Sequence, residues 1–201
     1  MTPRPAVARL AAILIMAAAF ATALAGCVND ATAVGSFDPS TPCNGADSQV
    51  MPAAYPELEA LLPVSLAGVA PNSVVSGRLC SANTLGTLYG RGIHETHFAS
   101  AVWNQGGGSG IQLTVMTADG LTVANVLESY SSGAANAPKV HSLKTSNVTV
   151  NGLAGMRLDI ENDDYAQQVV VWPGDSPTRI RVVITSNIHE ADLQEALTAF
   201  K

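Results

Sequence analysis

Two stretches of this 201-residue chain follow a single pattern. FASAVWNQGGGSGIQLTVMTADGLTVANVLESY (98–130) and QVVVWPGDSPTRIRVVITSNIHEADLQEALTAF (168–200) each read as strand, turn, strand, helix. Trp103 matches Trp172 and Thr117 matches Thr185. Within the helices, Val123 matches Leu193, Leu127 matches Leu197, and Tyr130 matches Phe200. The turns NQGGGSG and PGDSPT supply the Gly, Pro, Asp and Ser that hairpin loops use. A chain that carries such a unit twice is limited to sheets that can accept both helical stripes.

Alternation supports the strands. Ile111, Leu113 and Val115 share one face and Gln112 and Thr114 the other; Ile180, Val182 and Ile184 oppose Arg179, Arg181 and Thr185. Val123, Val126, Leu127 and Tyr130 make a helical stripe, as do Leu193, Ala196, Leu197 and Phe200. Between the copies, Val148 and Val150 alternate before Asn151-Gly152, a tight-turn signal, and Met156, Leu158 and Ile160 alternate after it. In YPELEALLP, Pro56 suits a first helical turn, Leu58, Leu61 and Leu62 share a face, and Pro63 ends the helix. The expected fold is α+β: an antiparallel sheet with helices packed on one face, built around the two ββα units 98–130 and 168–200. Trp103 and Trp172, at equivalent positions before the hairpin turns, are expected to pack in the core rather than stack on a ligand.

The start of the chain bears on location. Arg4 and Arg9 precede an apolar run from Leu10 to Leu24 in which Thr22 alone is polar. A basic region, an apolar region of about 15 residues and small residues before a break describe a secretory signal. Leu24-Ala25-Gly26-Cys27 resembles the bacterial lipobox. That resemblance implies a diacylglycerol on Cys27, cleavage before it, and a mature chain that starts there. The alternative, an uncleaved span, has Leu10 to Val28 to work with, borderline for the roughly 20 residues needed. The expected domains are a signal peptide (1–26), a lipidated Cys27 with a flexible tether (27–50), and a single α+β domain (51–201). The tether lacks periodicity and is rich in Ser, Thr, Asp, Gly and Pro.

Removal of Arg4 and Arg9 with the signal takes the net charge from −6 to −8. An acidic domain poor in Arg and Lys has no electrostatic footprint for nucleic acid. Anionic headgroups would not attract it either, so its expected membrane partner is reached through the lipid on Cys27. Two acyl chains, at about 0.8 kcal/mol per buried CH₂, hold stably. Cys43 and Cys80 remain, and outside the reducing cytosol they favour a disulfide. The chain-entropy model assigns its loop about 4 kcal/mol as an upper figure. Free thiols are the next reading. A redox or metal-ligand pair lacks a CxxC and any His nearby in the sequence.

Other chemical motifs are thin. HETH (94–97) spaces its histidines i, i+3, whereas a zinc protease needs i, i+4 on one helix face. DIENDD gathers Asp159, Glu161, Asp163 and Asp164, the best of the metal candidates, for Ca²⁺. It lacks the Gly and distal Glu of an EF-hand loop, so a solvated turn is preferred. GGGSG (106–110) lacks the Lys-Ser/Thr of a phosphate loop and reads as a turn. NVT (147–149) matches a glycosylation acceptor that has no meaning in a bacterial lipoprotein. No Gly-x-Ser-x-Gly elbow or Ser-x-x-Lys occurs. No catalytic residue and no cofactor is therefore expected.

LEALLP (58–63), VNGLAGMRLD (150–159) and VVVWPGD through the last helix are similar to a group of secreted bacterial lipoproteins of unknown function. The resemblance covers much of 57–200 and implies fold and location, with no activity attached. The expected function is a non-catalytic binding or scaffolding module, lipid-anchored on the extracytoplasmic face of a bacterial membrane. A carrier of lipid or another apolar ligand, in a cavity between sheet and helices, is the alternative. A hydrolase is the second.

Overall fold

The computed structural model describes residues 38, 40–43 and 48–201. The apolar leader, Cys27 and most of the tether lie outside the described residues. Among the described residues, no helix is long and apolar enough to cross a membrane.

The fold is α+β. Eight strands form one sheet: β1 (Ser48–Met51), β2 (Ser73–Leu79), β3 (Thr96–Gly106), β4 (Ser109–Thr117), β5 (Val140–Val150), β6 (Leu153–Asn162), β7 (Ala166–Pro173) and β8 (Arg179–Ser186). Their order is β1-β2-β3-β4-β8-β7-β6-β5, and every neighbouring pair is antiparallel. The helices are α1 (Pro56–Glu59), α2 (Ala82–Leu85), α3 (Thr87–Gly90), α4 (Val123–Ala135) and α5 (Glu190–Ala199). The chain starts at one edge with β1 and runs inward through β2 and β3 to β4 at the centre. It then crosses by α4 to the other edge, and returns through β5 to β8, so that β8 closes against β4.

Local chemistry explains the punctuation. The turn from β5 to β6 sets Asn151 at φ 50° and Gly152 at φ 82°, the two left-handed positions that a tight hairpin demands. Pro56 stands at the start of α1, where a missing N–H costs nothing. Thr122 caps α4, its hydroxyl accepting from the Asn125 N–H at 3.2 Å. β1 places Ser48 to Val50 within the sheet, although the sequence reading assigned them to the tether.

The helices do not share a face, which corrects the sequence expectation. α5 seats Leu193, Ala196, Leu197 and Phe200 on one core with Trp103, Leu113, Trp172 and Val183, joined by Tyr55 and Leu58 of the α1 segment. α4 seats Val126 and Leu127 on the opposite core, with Leu158, Val169, Val171, Val182 and Ile184. Leu85 of α2 and Leu88 of α3 join that second core. The reason lies in the central strands. Val169-Val170-Val171-Trp172 and Val182-Val183-Ile184 are buried at consecutive positions, so both sides of the sheet need cover.

The repeat therefore holds in the hairpins and fails in the helices. Trp103 lies opposite Ile111 and Trp172 opposite Arg181, and both rings enter the same core. Thr117 and Thr185 are not equivalent: Thr117 faces Arg179, while buried Thr185 faces Ile111. The links after β4 and β8 differ, with a left-handed Gly120 in one and a left-handed Asn187 in the other. Asn187 is tied to Ala166 through both its backbone N–H and its side-chain oxygen. The two helices leave in opposite senses, and the stripes that looked alike serve different cores.

Candidate functional site

At the β1–β2–β3 end of the sheet, on the α5 side, Ser76, Arg78 and His97 place polar groups beside the apolar core of that face. Register places Gln49, Arg78 and His97 side by side across three strands. Arg78 is 1% exposed. Its Nε donates to Gln49 Oε1 at 2.6 Å, and its guanidinium donates to the Thr41 carbonyl. Glu95 Oε1 stands 3.5 Å from the same guanidinium. A buried cation needs such partners, because an unpaired one would carry a desolvation cost of several kcal/mol.

Around this cation the remaining groups are ordered by hydrogen bonds. His97 Nε2–H donates to Glu95 Oε1 at 2.9 Å, and its ring stacks on Tyr55 at 4.5 Å between centroids. Burial pushes the Tyr55 hydroxyl up from its ordinary pKa. Two residues before Arg78 on β2, Ser76 accepts from the Tyr55 backbone N–H at 2.8 Å and donates to Glu59 at 2.7 Å. Glu95, His97, Thr117, Ala118 and Asp119 line a surface cleft of about 370 Å³ beside the cluster. The disulfide closes the rear: Cys43 and Cys80 are bonded, with Cα atoms 5.9 Å apart. Cys80 directly follows β2, so Arg78 and the bridge hold the incoming segment at two nearby points.

The motifs singled out in the sequence are dispersed. His94 meets Tyr89 edge-on at 4.5 Å, whereas His97 belongs to the cluster just described. The acidic run is divided among separate partners: Asp159 pairs with Arg157 at 2.8 Å, Asp163 with His141 at 2.6 Å and Asp164 with Lys139 at 3.0 Å. No group of three ligand atoms from Asp159, Glu161, Asp163 and Asp164 converges; among the described residues the converging set is Cys43, Cys80 and Glu95. Gly106, Gly107 and Gly108 turn β3 into β4 with positive φ. Trp103 and Trp172 are both buried, the former donating its indole N–H to the Val69 carbonyl at 2.8 Å.

Sequence reasoning missed Arg78, Glu95 and Tyr55. A lone Arg in VVSGRLC carries no motif, and only the three-strand register brings Gln49, Arg78 and His97 together. A second buried cation, Arg181, lies 5.7 Å from the Phe200 ring and donates to the Lys201 carbonyl at 2.7 Å, anchoring the chain's end. Comparison with protein families and with curated proteins gives no match for this chain.

Proposed function

We propose that this chain is a lipid-anchored extracytoplasmic lipoprotein whose domain is a non-catalytic binding module, engaging an extended segment of a partner protein along the outer edge of β5. The observation that carries the reading is the position of β5. It is 11 residues long and stands last in the strand order, with β6 as its neighbour on one side. Its other side offers a row of backbone donors and acceptors of the kind that strand addition uses. Most of its side chains are exposed, including Lys144, Thr145, Asn147 and Thr149. The apolar-carrier reading has less support, since both layers between sheet and helices are filled: Leu113, Val115 and Val183 on one side and Leu158, Val169 and Val182 on the other are wholly buried.

The test has two arms. Cys27→Ser separates location from binding: the variant is released from the membrane or left unprocessed, and normal processing with full membrane retention contradicts the anchor. A photo-crosslinking residue at Lys144, on β5, gives a discrete protein adduct in the native membrane, whereas the same residue at exposed Glu57 does not. Equal adducts from both positions, or none, count against the β5 edge.

A further inference from the structure

We propose that reduction of the Cys43–Cys80 bridge converts this corner of the domain into a zinc site with Glu95 as the third protein ligand. In the sequence the two cysteines have no CxxC spacing and no His near them. In the fold, the two sulfurs and a Glu95 oxygen all lie within 4.8 Å of one another. Tetrahedral zinc, with bonds of about 2.0–2.3 Å, sets its ligand atoms roughly 3.3–3.8 Å apart, so modest side-chain rotations suffice. The surroundings suit the metal as well. His97 Nε2–H, 2.9 Å from Glu95 Oε1, orients that carboxylate as outer partners of zinc ligands do. Two thiolates and a carboxylate around Zn²⁺ leave one net negative charge, and the buried Arg78 guanidinium 3.5 Å from Glu95 neutralises it. Glu95 is half-buried at the cleft, which leaves the fourth coordination position open to water.

The chemistry balances in two steps. A thiol reductant delivers two electrons and two protons to the disulfide, yielding two protein thiols and its own disulfide. Zn²⁺ then displaces both protons and binds the thiolates. Oxidant and metal thus compete for one pair of sulfurs: the bridge excludes zinc, and bound zinc shields the thiols.

The experiment uses the full chain in detergent, reduced with a phosphine that adds no thiol, and titrated with Zn²⁺ and Co²⁺. The reduced chain binds one Zn²⁺, and Co²⁺ gives a sulfur-to-metal charge-transfer band. Zinc also slows alkylation of Cys43 and Cys80, as read by peptide mapping. The disulfide form binds no zinc at the same concentration, and Glu95→Gln weakens binding to the reduced form by about tenfold or more. Equal binding by reduced and disulfide forms overturns the site, as does an unchanged affinity in the Glu95→Gln variant. If near-ultraviolet dichroism is lost on reduction and zinc does not restore it, the proposal fails on the parent chain itself.

Discussion

Trp172 packs directly across Gly155. A Cβ on Gly155 would stand 3.0 Å from Trp172 Cβ and 2.7 Å from the Val171 carbonyl oxygen. Both of those contacts belong to β7, the strand that carries the buried Trp172. Gly155→Ala therefore destabilises by about 1–3 kcal/mol, the usual cost of an overpacked core. Urea unfolding with an unchanged m-value measures it, and a neutral substitution would show that the β6–β7 contact relaxes freely.

Leu127 and Leu197 looked like copies of one position, but the sheet lies between them. Leu127→Ala and Leu197→Ala each cost about 2–5 kcal/mol. Because the two cores share no side chain, the double variant loses the sum of the single losses to within about 0.5 kcal/mol. Coupling well above that value in a double-mutant cycle would mean that the two leucines share one core.

Non-reducing peptide mapping finds Cys43 joined to Cys80, and Cys43→Ser lowers stability by up to about 4 kcal/mol, the loop-entropy figure. Two readily alkylated thiols in native protein from its own compartment would contradict the bridge.

Arg157 links β6 to α5 by donating to Glu190 at 2.9 Å, and its guanidinium holds the Glu190 carboxyl below the ordinary carboxylate pKa. An acid with a lower pKa folded than unfolded stabilises the fold above the unfolded value, about 4.3. That contribution is lost as pH falls through the lower folded value. Glu190 is half exposed, so the pair is worth about 0.2–1 kcal/mol. Glu190→Gln is less stable than the parent near neutral pH, and the gap closes in acid once the Glu190 carboxylate is protonated in the folded state. A gap that persists in acid would point to lost packing instead.

The hairpins were readable from residues alone. Alternation at 111–115 and 180–184, the Asn151-Gly152 turn and the two helical stripes each depend on neighbours within a few positions, and each has its counterpart in the fold. What could not be read was the assignment of faces. An amphipathic helix declares its apolar side but not which side of a sheet will receive it. Here the links that follow β4 and β8 differ, with Gly120 and Asn187 each at positive φ. The clue that was present, unbroken burial-type runs at 169–172 and 182–184, argued for cover on both sides. The Arg78 cluster was hidden for a different reason. Gln49, Arg78, Glu95 and His97 are spread over 49 positions of chain and meet through strand register and a following loop.

The seam between β4 and β8 sets the order in which such a chain can mature. It pairs Gly110 with Ser186 and Thr117 with Arg179, the most distant partners in the sheet, at its very centre. Each flanking meander closes on near neighbours, and loop closure over the intervening span comes at a higher entropic cost. A growing chain therefore holds β4 as a bare edge until β8 (Arg179–Ser186) has been made. Premature truncation before residue 179 leaves that edge permanently open, and the product aggregates instead of surviving as a smaller domain.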